Sequence, residues 1–454
     1  MKRFFVVLVS LTLAALFAAA YAAPPQQAPA NATTVIEGAR VIDSVSNAAI
    51  ENAVIVIQGD RIRAIGARAS VQIPANARTV NMAGKTIMPG IVNVHGHIGR
   101  RNGMQYGPEH YSKQTVQRDA NSYLYFGITH ATSLGQDWPP MKEVIRDQRA
   151  GRAGGARLYT GEFGFSIEGG MQNANPSIHK PKTVEEARQM VQAMAANKPL
   201  DFIKLWVDGN PKMDLNVAGA AIEEADRQGL KSYVHLSQVE DARKLIEHGL
   251  DSMAHIPRDK ELDDAFVRLA KEKGVTQTTN LIGLYGGRIY LQPTYLSHPG
   301  MRVMFSDVIG TINTPQWLGE QTARPPNQAN LEAYDRAVRN LLKLHAAGVP
   351  IVIGSDSGSV GQFPGVWEHL DLELLVRAGL SPMEGIKAAT INGARLLGVG
   401  DRYGSLEVGK VADFVVMNSN PLTDIKNTMD ISAVWMNGQE VNRATLPVNT
   451  SSNN

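Results

Sequence analysis

Short apolar runs alternate with amphipathic segments from Pro89-Gly90 to about residue 400, and this alternation limits the folds open to the chain. It is typical of βα units built on a parallel sheet. Eight strand candidates are present, the number that a closed (β/α)8 barrel needs. In chain order they are 91–97, 127–134, 157–165, 201–209, 231–236, 251–256, 276–282 and 351–358. The sequence therefore predicts an α/β protein with a TIM barrel over residues 91–400.

The segments on either side of the predicted barrel follow a different pattern. Residues 34–90 and 401–445 both consist of short β-branched runs separated by turns. Because the two ends share this pattern, we expect them to pair into one small β-sandwich domain beside the barrel. Residues 446–454 are expected to form a disordered tail.

The start of the chain resembles a secretory signal peptide over residues 1–22. It has a positively charged beginning, an apolar stretch over residues 4–20 and a small-residue cleavage site that ends at Ala22. We expect cleavage near Ala22 rather than a retained anchor, which gives an exported and most simply periplasmic protein without a stable membrane anchor. Residues 23–33, rich in Pro and Ala, are expected to be a disordered leader.

Composition narrows the chemistry. The chain carries 45 basic and 43 acidic residues, and no basic run interleaved with aromatic residues indicates a nucleic-acid partner. It contains no cysteine, which excludes disulfides, thiolate catalysis and Cys-ligated zinc. Any metal ion must be bound by His, carboxylate or modified Lys.

Two helices between the strand candidates carry N-terminal signals. Thr183 with Glu186, and Ser237 with Glu240, fit the spacing of a capping box. We therefore expect helices to begin directly after Thr183 and after Ser237.

The first group of candidate site residues lies on two strands. His95 and His97 are two residues apart at the end of the first strand candidate, so both rings leave the same face and can bind one metal ion. Lys204 alternates with Ile203 and Leu205, whose aliphatic side chains fit a helix-covered outer face, so Lys204 points into the barrel. A buried ammonium needs a carboxylate partner, a lowered pKa or conversion, for example to a carbamate. A lysine that reaches solvent stays the alternative.

The second group completes the predicted metal site. His235 and His255 lie at the ends of consecutive strand candidates, and Asp356 follows a nearly apolar run. A carboxylate in that position is costly to bury without a cation. Asp356 can contact a metal ion and accept the proton of an attacking water molecule, which makes it the candidate catalytic residue. Of the remaining histidines, His130 near the end of the second strand is kept as a candidate substrate contact.

A long connection, residues 283–330, separates the seventh strand candidate from a helix predicted to begin near Leu331. Loops of this length are usually functional, and a loop after a barrel strand emerges where such proteins place their active sites. Simple packing of the insertion is an equal alternative for each aromatic or basic residue in it. The candidate substrate contacts are Tyr285, Arg288, Tyr290, Tyr295 and Trp317.

Together these residues resemble the amidohydrolase superfamily, in particular its imidazolonepropionase-like hydrolases and Xaa-Pro or Xaa-Arg dipeptidases. The resemblance covers nearly the whole chain after the predicted signal peptide. Two places depart from the family: Asn93 stands where many relatives have Asp, and Asp208-Gly209-Asn210 replaces a Gly/Ser-rich sequence. The stretches that carry the resemblance are VIQGDRIRAIG, KTIMPGIVNVHGH, GITHATSLG, DFIKLWVDG, the His235 and His255 strands, IGSDSG and TINGARLLGVGDRYGSLEVGKVADFVV.

The resemblance implies a site for two divalent metal ions. His95, His97 and Asp356 would hold the more buried ion, and the two histidines of the fifth and sixth strands would hold the other. A carbamate on Lys204 and a hydroxide would bridge the ions, and Asp356 would carry the proton to the leaving nitrogen. These ligands suit zinc, while manganese, iron and cobalt stay open.

We therefore predict hydrolysis of an amide or peptide bond in a small substrate such as a dipeptide or an N-acyl amino acid. One alternative is a mononuclear deaminase or a cyclic-amide, imidazolone-like hydrolase, which would not need Lys204 as a bridge. An alternative of another class is a non-catalytic assembly protein of the dihydropyrimidinase-like kind, against which the complete set of candidate ligands counts. The sequence leaves a homo-oligomer open.

Overall fold

The structure is a computed structural model that describes residues 32–172, 174–175, 177–323 and 328–446. The predicted signal peptide, the predicted leader up to residue 31 and the predicted tail from residue 447 lie outside the described residues. Within these ranges no helix combines the length and the apolar character needed to cross a membrane.

The secondary structure of the described chain alternates as the sequence predicts. The strands are β1 (Thr33–Val41), β2 (Ile50–Gln58), β3 (Arg61–Ala67), β4 (Arg78–Asn81), β5 (Thr86–Pro89), β6 (Ile91–Gly96), β7 (Arg101–Asn102), β8 (Gln105–Tyr106), β9 (Ile128–Ser133), β10 (Arg157–Thr160), β11 (Phe202–Trp206), β12 (Lys231–His235), β13 (Ser252–Met253), β14 (Thr276–Thr278), β15 (Ile351–Val352), β16 (Phe414–Met417), β17 (Ile431–Met436) and β18 (Gln439–Glu440). The α-helices are α1 (Lys113–Tyr125), α2 (Pro139–Arg149), α3 (Val184–Ala196), α4 (Leu215–Arg227), α5 (Val239–Glu247), α6 (Asp264–Lys273), α7 (Leu281–Tyr285), α8 (Pro299–Met304), α9 (Ser306–Ile312), α10 (Pro315–Thr322), α11 (Gln328–Ala346), α12 (Val366–Ala378), α13 (Pro382–Ala389) and α14 (Ile391–Leu396).

The two ends of the described chain form one eight-stranded sheet. Its hydrogen-bonded order is β18-β17-β16-β5-β1-β2-β3, with β4 beside β1. The ends meet where β5 pairs antiparallel with β16, so that Pro89 lies opposite Phe414. The rings of Phe414 and Trp435 stack at 5.2 Å within a core separate from that of the barrel. The expected pairing of the two ends is present as a single hydrogen-bonded sheet with apolar residues on both faces, and a two-layer β-sandwich stays a prediction.

Eight parallel strands between these ends close into a barrel. They belong to two sheets, β6-β9-β10 and β11-β12-β13-β14-β15. At one junction the N–H of Phe165 donates to the carbonyl of Lys204 at 2.8 Å. At the other, the N–H of Val94 donates to the carbonyl of Ile353 at 3.0 Å. Because both edges are joined, the strands form the predicted (β/α)8 arrangement with helices outside.

Side-chain alternation along β11 places Lys204 on the inner face. Ile203 and Leu205 pack in the large core that includes the surrounding helices. Phe202 belongs to a separate cluster and packs against Tyr233 of the next strand, with ring centroids 4.8 Å apart. Since successive residues of a strand point to opposite faces, Lys204 shares the inner face with Phe202.

The long connection after β14 is helical rather than an extended loop. It contains α7 to α10 with 3-10 turns between them, and the helix expected near Leu331 begins at Gln328. A buried ion pair docks this insertion on the loop after β6, because Arg101 donates to the carboxylate of Asp307 on α9 at 2.8 Å. The guanidinium of Arg101 also lies 5.7 Å from the ring centroid of Phe305. The insertion therefore packs on the carboxyl end of the barrel.

Neither predicted capping box forms in full. The Thr183 side chain accepts a hydrogen bond from the N–H of Glu186 at 3.1 Å, as expected, but the Glu186 carboxylate accepts from the N–H of Lys182 at 2.7 Å and not from Thr183. The N-cap of α5 is instead Gln238, without a side-chain cap. The Ser237 hydroxyl donates a hydrogen bond to the carboxylate of Asp208. The backbone carbonyl of Ser237 accepts a hydrogen bond from the N–H of Arg258 at 2.7 Å. A tertiary partner thus takes the hydroxyl away from the helix end.

Candidate metal centre

Three predicted ligands meet at the carboxyl end of the barrel. Nε2 of His95 lies 3.2 Å and Nε2 of His97 lies 3.1 Å from Oδ1 of Asp356. His95 comes from β6, and its Nδ1 lies 3.2 Å from the carbonyl oxygen of Ala254, which fixes the ring. A ligating atom from each of His95, His255 and Asp356 lies within 4.8 Å of the others, so this group could hold a metal ion.

The second pair of predicted ligands lies directly beside these three. The ring centroids of His235 and His255 are 4.1 Å apart, and those of His255 and His95 are 5.0 Å apart. Nε2 of His235 also lies 3.9 Å from the carboxylate of Asp208. The structure therefore brings the four predicted histidines to one place from three different strand ends.

Burial favours the neutral form of His95, His235 and His255. Desolvation lowers the pKa of His95 to about 4, although the Asp356 carboxylate acts in the opposite direction. Desolvation also lowers the pKa of His235 and of His255 well below the usual range, and neighbouring cationic groups add to the effect. A neutral ring offers a nitrogen lone pair at neutral pH, which is the form that binds a metal ion.

Lys204 completes the group from the inner face of β11. Its side chain is fully buried, and its Nζ has no hydrogen-bond partner among the described residues. Nζ lies 5.4 Å from the ring centroid of Trp206. Desolvation lowers the pKa of Lys204 to about 7, with the Asp356 carboxylate opposing the shift. The sequence left a carboxylate partner, a lowered pKa or chemical conversion open for this lysine. Among the described residues, no carboxylate forms an ion pair with Lys204.

Asp356 reaches the cluster through its backbone conformation. Strand β15 ends at Val352, and Asp356 has φ +59°, in the left-handed region that Asp tolerates better than most residues. Burial alone would raise the pKa of Asp356, but His95 and His97 hold it well below its usual range. Gly358 lies close by, where a Cβ would come within 1.8 Å of the carbonyl oxygen of His97. The loop after β15 is therefore packed directly against the end of β6.

Sequence reasoning missed a helix residue that holds this loop. Glu368 of α12 is buried and accepts hydrogen bonds from the hydroxyls of Ser355 at 2.5 Å and Ser357 at 2.7 Å. Both serines flank Asp356, and the hydroxyl of Tyr123 lies 2.7 Å from that of Ser357. The Ser-Asp-Ser sequence was a local signal for such support, but only the fold shows that Glu368 provides it.

Asn280, which follows β14, is a second residue that sequence reasoning missed. Its Nδ2 lies 2.7 Å from Nδ1 of His255 and donates to Oδ2 of Asp356 at 3.3 Å. Its φ of +40° lies in the left-handed region. The hydroxyl of the preceding residue, Thr279, donates a hydrogen bond to the carboxylate of Asp371 on α12. In this placement the amide nitrogen faces Nδ1 of His255, and ligation of a metal ion through Nε2 of that ring needs the Asn280 amide turned over so that its oxygen accepts the Nδ1 proton. Asn280 therefore orients two of the candidate ligands.

Replacing Asn280 with glycine is expected to lower metal affinity and kcat/KM by about 10- to 100-fold, the usual cost of removing a residue that orients ligands. Glycine fits the left-handed backbone at φ +40°, so the fold should be retained. Competition with a chelator and steady-state kinetics measure the two effects. Asn313→Ala, on an exposed residue at the end of α9, is the control. Unchanged metal affinity in Asn280→Gly would show that Asn280 does not orient the ligands.

The two departures from the family lie beside the cluster. Asn93 accepts a hydrogen bond from the N–H of His95 at 3.2 Å, and its amide lies 3.5 Å from the hydroxyl of Tyr123. Asp208 lies between His235 and Ser237, and burial raises its pKa. Both residues are thus built into the walls of the site.

Several predicted substrate contacts lie away from the cluster. His130 pairs with the first residue of β10, near the amino ends of the strands, and its ring centroid lies 4.5 Å from that of Tyr403. Tyr285 packs against Tyr334 at 5.6 Å, and Arg288 lies over the Tyr285 ring at 5.3 Å. The structure does not bring these residues into contact with the candidate ligands, and their role in substrate binding stays a prediction.

Other residues of the insertion reach the loop that carries Asp356. The hydroxyl of Tyr290 donates to the carbonyl of Gly361 at 3.2 Å, and its ring centroid lies 5.1 Å from that of Trp317. Tyr295 is buried against Phe363 of the same loop, with ring centroids 6.2 Å apart. These aromatic residues therefore pack over the loop after β15. Their contact with a substrate stays a prediction.

The residues present fit a divalent metal ion. Lys204 Nζ, His97 Nδ1 and His255 Nε2 are buried and have no hydrogen-bond partner among the described residues. Buried polar atoms without a partner are rare and costly, and a cation removes this cost for lone-pair donors. Imidazole nitrogen and carboxylate oxygen are ordinary zinc ligands, and the absence of cysteine is consistent with them.

Fold and cluster together define a parallel-barrel protein with a candidate metal centre at the carboxyl ends of its strands. Residues 86–441 match the amidohydrolase family, and this chain belongs to that family. The match spans the barrel together with β5 and the strands β16 to β18, and it begins after β1 to β4. The fold class and the resemblance expected from sequence are thereby confirmed.

Individual relatives agree with this assignment. The chain is 24% identical over 411 residues to the imidazolonepropionase of Pseudomonas putida, covering 86% of this chain and 92% of that protein. It is 28% identical over 225 residues to the ochratoxinase of Aspergillus niger. That match covers 48% of this chain but only 39% of the ochratoxinase. The structure of a Xaa-Pro dipeptidase with bound methionine has a TM-score of 0.73 at 19% identity, covering 90% of this chain and all of the other, which supports the fold.

Proposed function

We propose that this protein is a binuclear metal-dependent hydrolase that cleaves an amide or peptide bond of a small substrate, such as a dipeptide or an N-acyl amino acid. The observation that carries the proposal is the buried Lys204 Nζ without a partner beside four histidines and Asp356. A mononuclear site does not need that lysine. Two zinc ions are the proposed metal complement, and a carbamate on Lys204 would hold them together with the histidines and Asp356.

The metal ions, when bound, polarise the substrate carbonyl and acidify a water molecule for attack. Asp356 accepts the proton of that water on its carboxylate and passes it to the leaving nitrogen. His95 and His97 would hold one ion together with Asp356, whose Oδ1 lies 3.2 and 3.1 Å from their Nε2 atoms.

The proposed carbamate is supported by the burial of Lys204, whose desolvation lowers the pKa of its amine to about 7. A neutral primary amine reacts with carbon dioxide, forms a nitrogen–carbon bond and releases one proton. The product is an anion, which suits a buried position between cations better than an ammonium would. Labelling the metal-loaded protein with ¹³C-bicarbonate and recording its carbonyl resonance tests for this group directly.

The mononuclear deaminase or cyclic-amide hydrolase is the second candidate. The similarity to imidazolonepropionase over 86% of this chain favours it.

From the signal-peptide-like start alone, we also propose that the protein acts outside the cytoplasm, where breakdown of small nutrient or foreign amides is the expected task.

Metal analysis of the purified protein, combined with a hydrolysis panel, tests the proposal. The panel contains Xaa-Pro and Xaa-Arg dipeptides, N-acyl amino acids, aryl amides, lactones and a cyclic amide. We expect about two metal ions per chain and hydrolysis of at least one linear amide, both lost on chelation and restored by zinc. About one metal ion with turnover of the cyclic amide alone would favour the second candidate.

A further inference from the structure

A carboxylate without a cationic partner lies beside the candidate metal centre. Asp208 comes two residues after the end of β11, and its Oδ2 lies 3.9 Å from Nε2 of His235. Because burial favours the neutral form of His235, that ring does not supply a counter-charge. The Asp208 side chain is 16% exposed, and among the described residues no lysine or arginine forms an ion pair with it. A largely buried negative charge of this kind is costly unless a cation joins it.

Neutral donors fix the position of this carboxylate. The hydroxyl and the backbone N–H of Ser237 both donate to it. The guanidinium of Arg258 acts on Asp208 through space and donates instead to the carbonyl of Ile256 at 3.1 Å. An ionised carboxylate has about four acceptor positions, so about two of them stay open on Asp208.

Neighbouring carboxylates have their partners within the chain. Asp241 pairs with Lys212, and Asp137 accepts hydrogen bonds from three hydroxyls. Asp356 belongs to the group of described residues whose ligating atoms lie within 4.8 Å of one another, whereas Asp208 does not. Asp208 therefore lies at the edge of the metal centre, outside that group of candidate ligands, with acceptor positions open to a cation from outside the described chain.

We propose that Asp208 binds the free α-ammonium group of a dipeptide, so that the site selects dipeptides over N-acyl amino acids. The amino nitrogen of a dipeptide lies about 2.5 Å from the scissile carbonyl carbon, so its partner must border the metal centre. The contact between Asp208 and His235 meets this condition. A carboxylate and an ammonium form a short, charge-assisted hydrogen bond. The choice of substrate class rests on the proposed amide hydrolysis, whereas the binding of the ammonium does not.

Pairs of compounds that differ only in the amine test this role. Glycyl-L-proline, glycyl-L-leucine and glycyl-L-phenylalanine are compared with acetyl-L-proline, acetyl-L-leucine and acetyl-L-phenylalanine. In wild type, kcat/KM for the glycyl compound should exceed that for its acetyl partner by at least about tenfold. This ratio should fall by about 10- to 100-fold in Asp208→Asn, in which the ammonium loses a charged acceptor.

Asp214→Asn is the matched control and should keep the wild-type ratio. Asp214 lies in the same loop, is exposed and caps α4 through its side chain, a role that asparagine fills equally well. Asparagine at position 208 has the shape of aspartate and still accepts from Ser237, so both variants should fold.

Calorimetric binding to the metal-stripped proteins at pH 7 gives a measurement that does not depend on turnover. The α-amine, with a pKa of about 8, is protonated at this pH. The glycyl compounds should bind wild type at least about tenfold more tightly than their acetyl partners, and the difference should vanish in Asp208→Asn. Chelator competition in the same variants measures zinc affinity.

Three results would overturn the role of Asp208 without affecting the proposed amide hydrolysis. They are no preference for any glycyl compound in wild type, an equal preference in Asp208→Asn, and lower zinc affinity of Asp208→Asn with its preference intact, which would make Asp208 a metal ligand. Glycyl-selective binding that depends on Asp208, without hydrolysis of any amide, supports Asp208 and overturns the proposed function instead.

Discussion

Replacing Lys204 with methionine is expected to lower amide hydrolysis by on the order of 1,000-fold, because the proposed bridge contributes several kcal/mol to transition-state stabilisation through the metal ions. Metal content should fall from about two ions per chain to about one or fewer. Methionine has a similar length and no charge, so it fills the same buried space. The metal-stripped variant should therefore be as stable as wild type or more stable, since a buried amine without a partner is removed.

Lys142 provides the control for this experiment. It is also buried, but it is paired with Glu162 and donates to the carbonyl of Asn197 at 2.5 Å. Lys142→Met breaks a buried ion pair and should destabilise the protein by about 3–5 kcal/mol with metal content unchanged. Thermal unfolding of the stripped proteins and elemental analysis of the loaded ones separate the two lysines. Retention of two metal ions and full activity in Lys204→Met would refute the binuclear proposal.

Replacing Asp356 with asparagine is expected to lower kcat by about 100- to 10,000-fold, the contribution of a positioned proton acceptor. Asparagine has the same shape and tolerates the left-handed backbone at φ +59°, so the unfolding free energy should change by no more than about 1 kcal/mol. The acid limb of the kcat profile should vanish as well, because the proposed acceptor no longer titrates. Steady-state kinetics across pH measure both effects.

Asp335→Asn, on the exposed face of α11, is the matched control and should behave as wild type. The stability of Asp356→Asn must be measured in parallel. If that variant folds and keeps more than about a tenth of wild-type kcat, Asp356 is not the proton acceptor. Asp356→Ala is a poorer test because alanine adds backbone strain at this position.

The barrel and the inward position of Lys204 could be predicted from sequence because both depend on local periodicity. Alternation along DFIKLWVDG was sufficient to place Lys204 on the inner face, since β11 is a regular strand. The same alternation argument placed Asp356 on the inner face, but strand β15 ends at Val352, before Asp356. The carboxylate reaches the site through a left-handed turn, which strand parity does not describe.

Residues that support the site could not be predicted because their partners are distant in sequence. Glu368 contacts the serines beside Asp356 only once α12 packs behind β15. Asn280 contacts His255 and Asp356 from a left-handed backbone position that strand alternation does not predict. For His130, alternation gave the face of the strand but not the height along the barrel, and the height decides whether a side chain reaches the carboxyl end.

The sheet at the ends of the chain affects the order in which the protein can fold. Its first three strands form a local antiparallel meander, which needs only neighbouring residues. Strand β5, however, waits for β16, which the ribosome makes after the entire barrel. Until then one edge of β5 carries unpaired backbone groups, a template for association with another chain. Completion of the last strands thus determines when a newly made molecule stops being prone to aggregation.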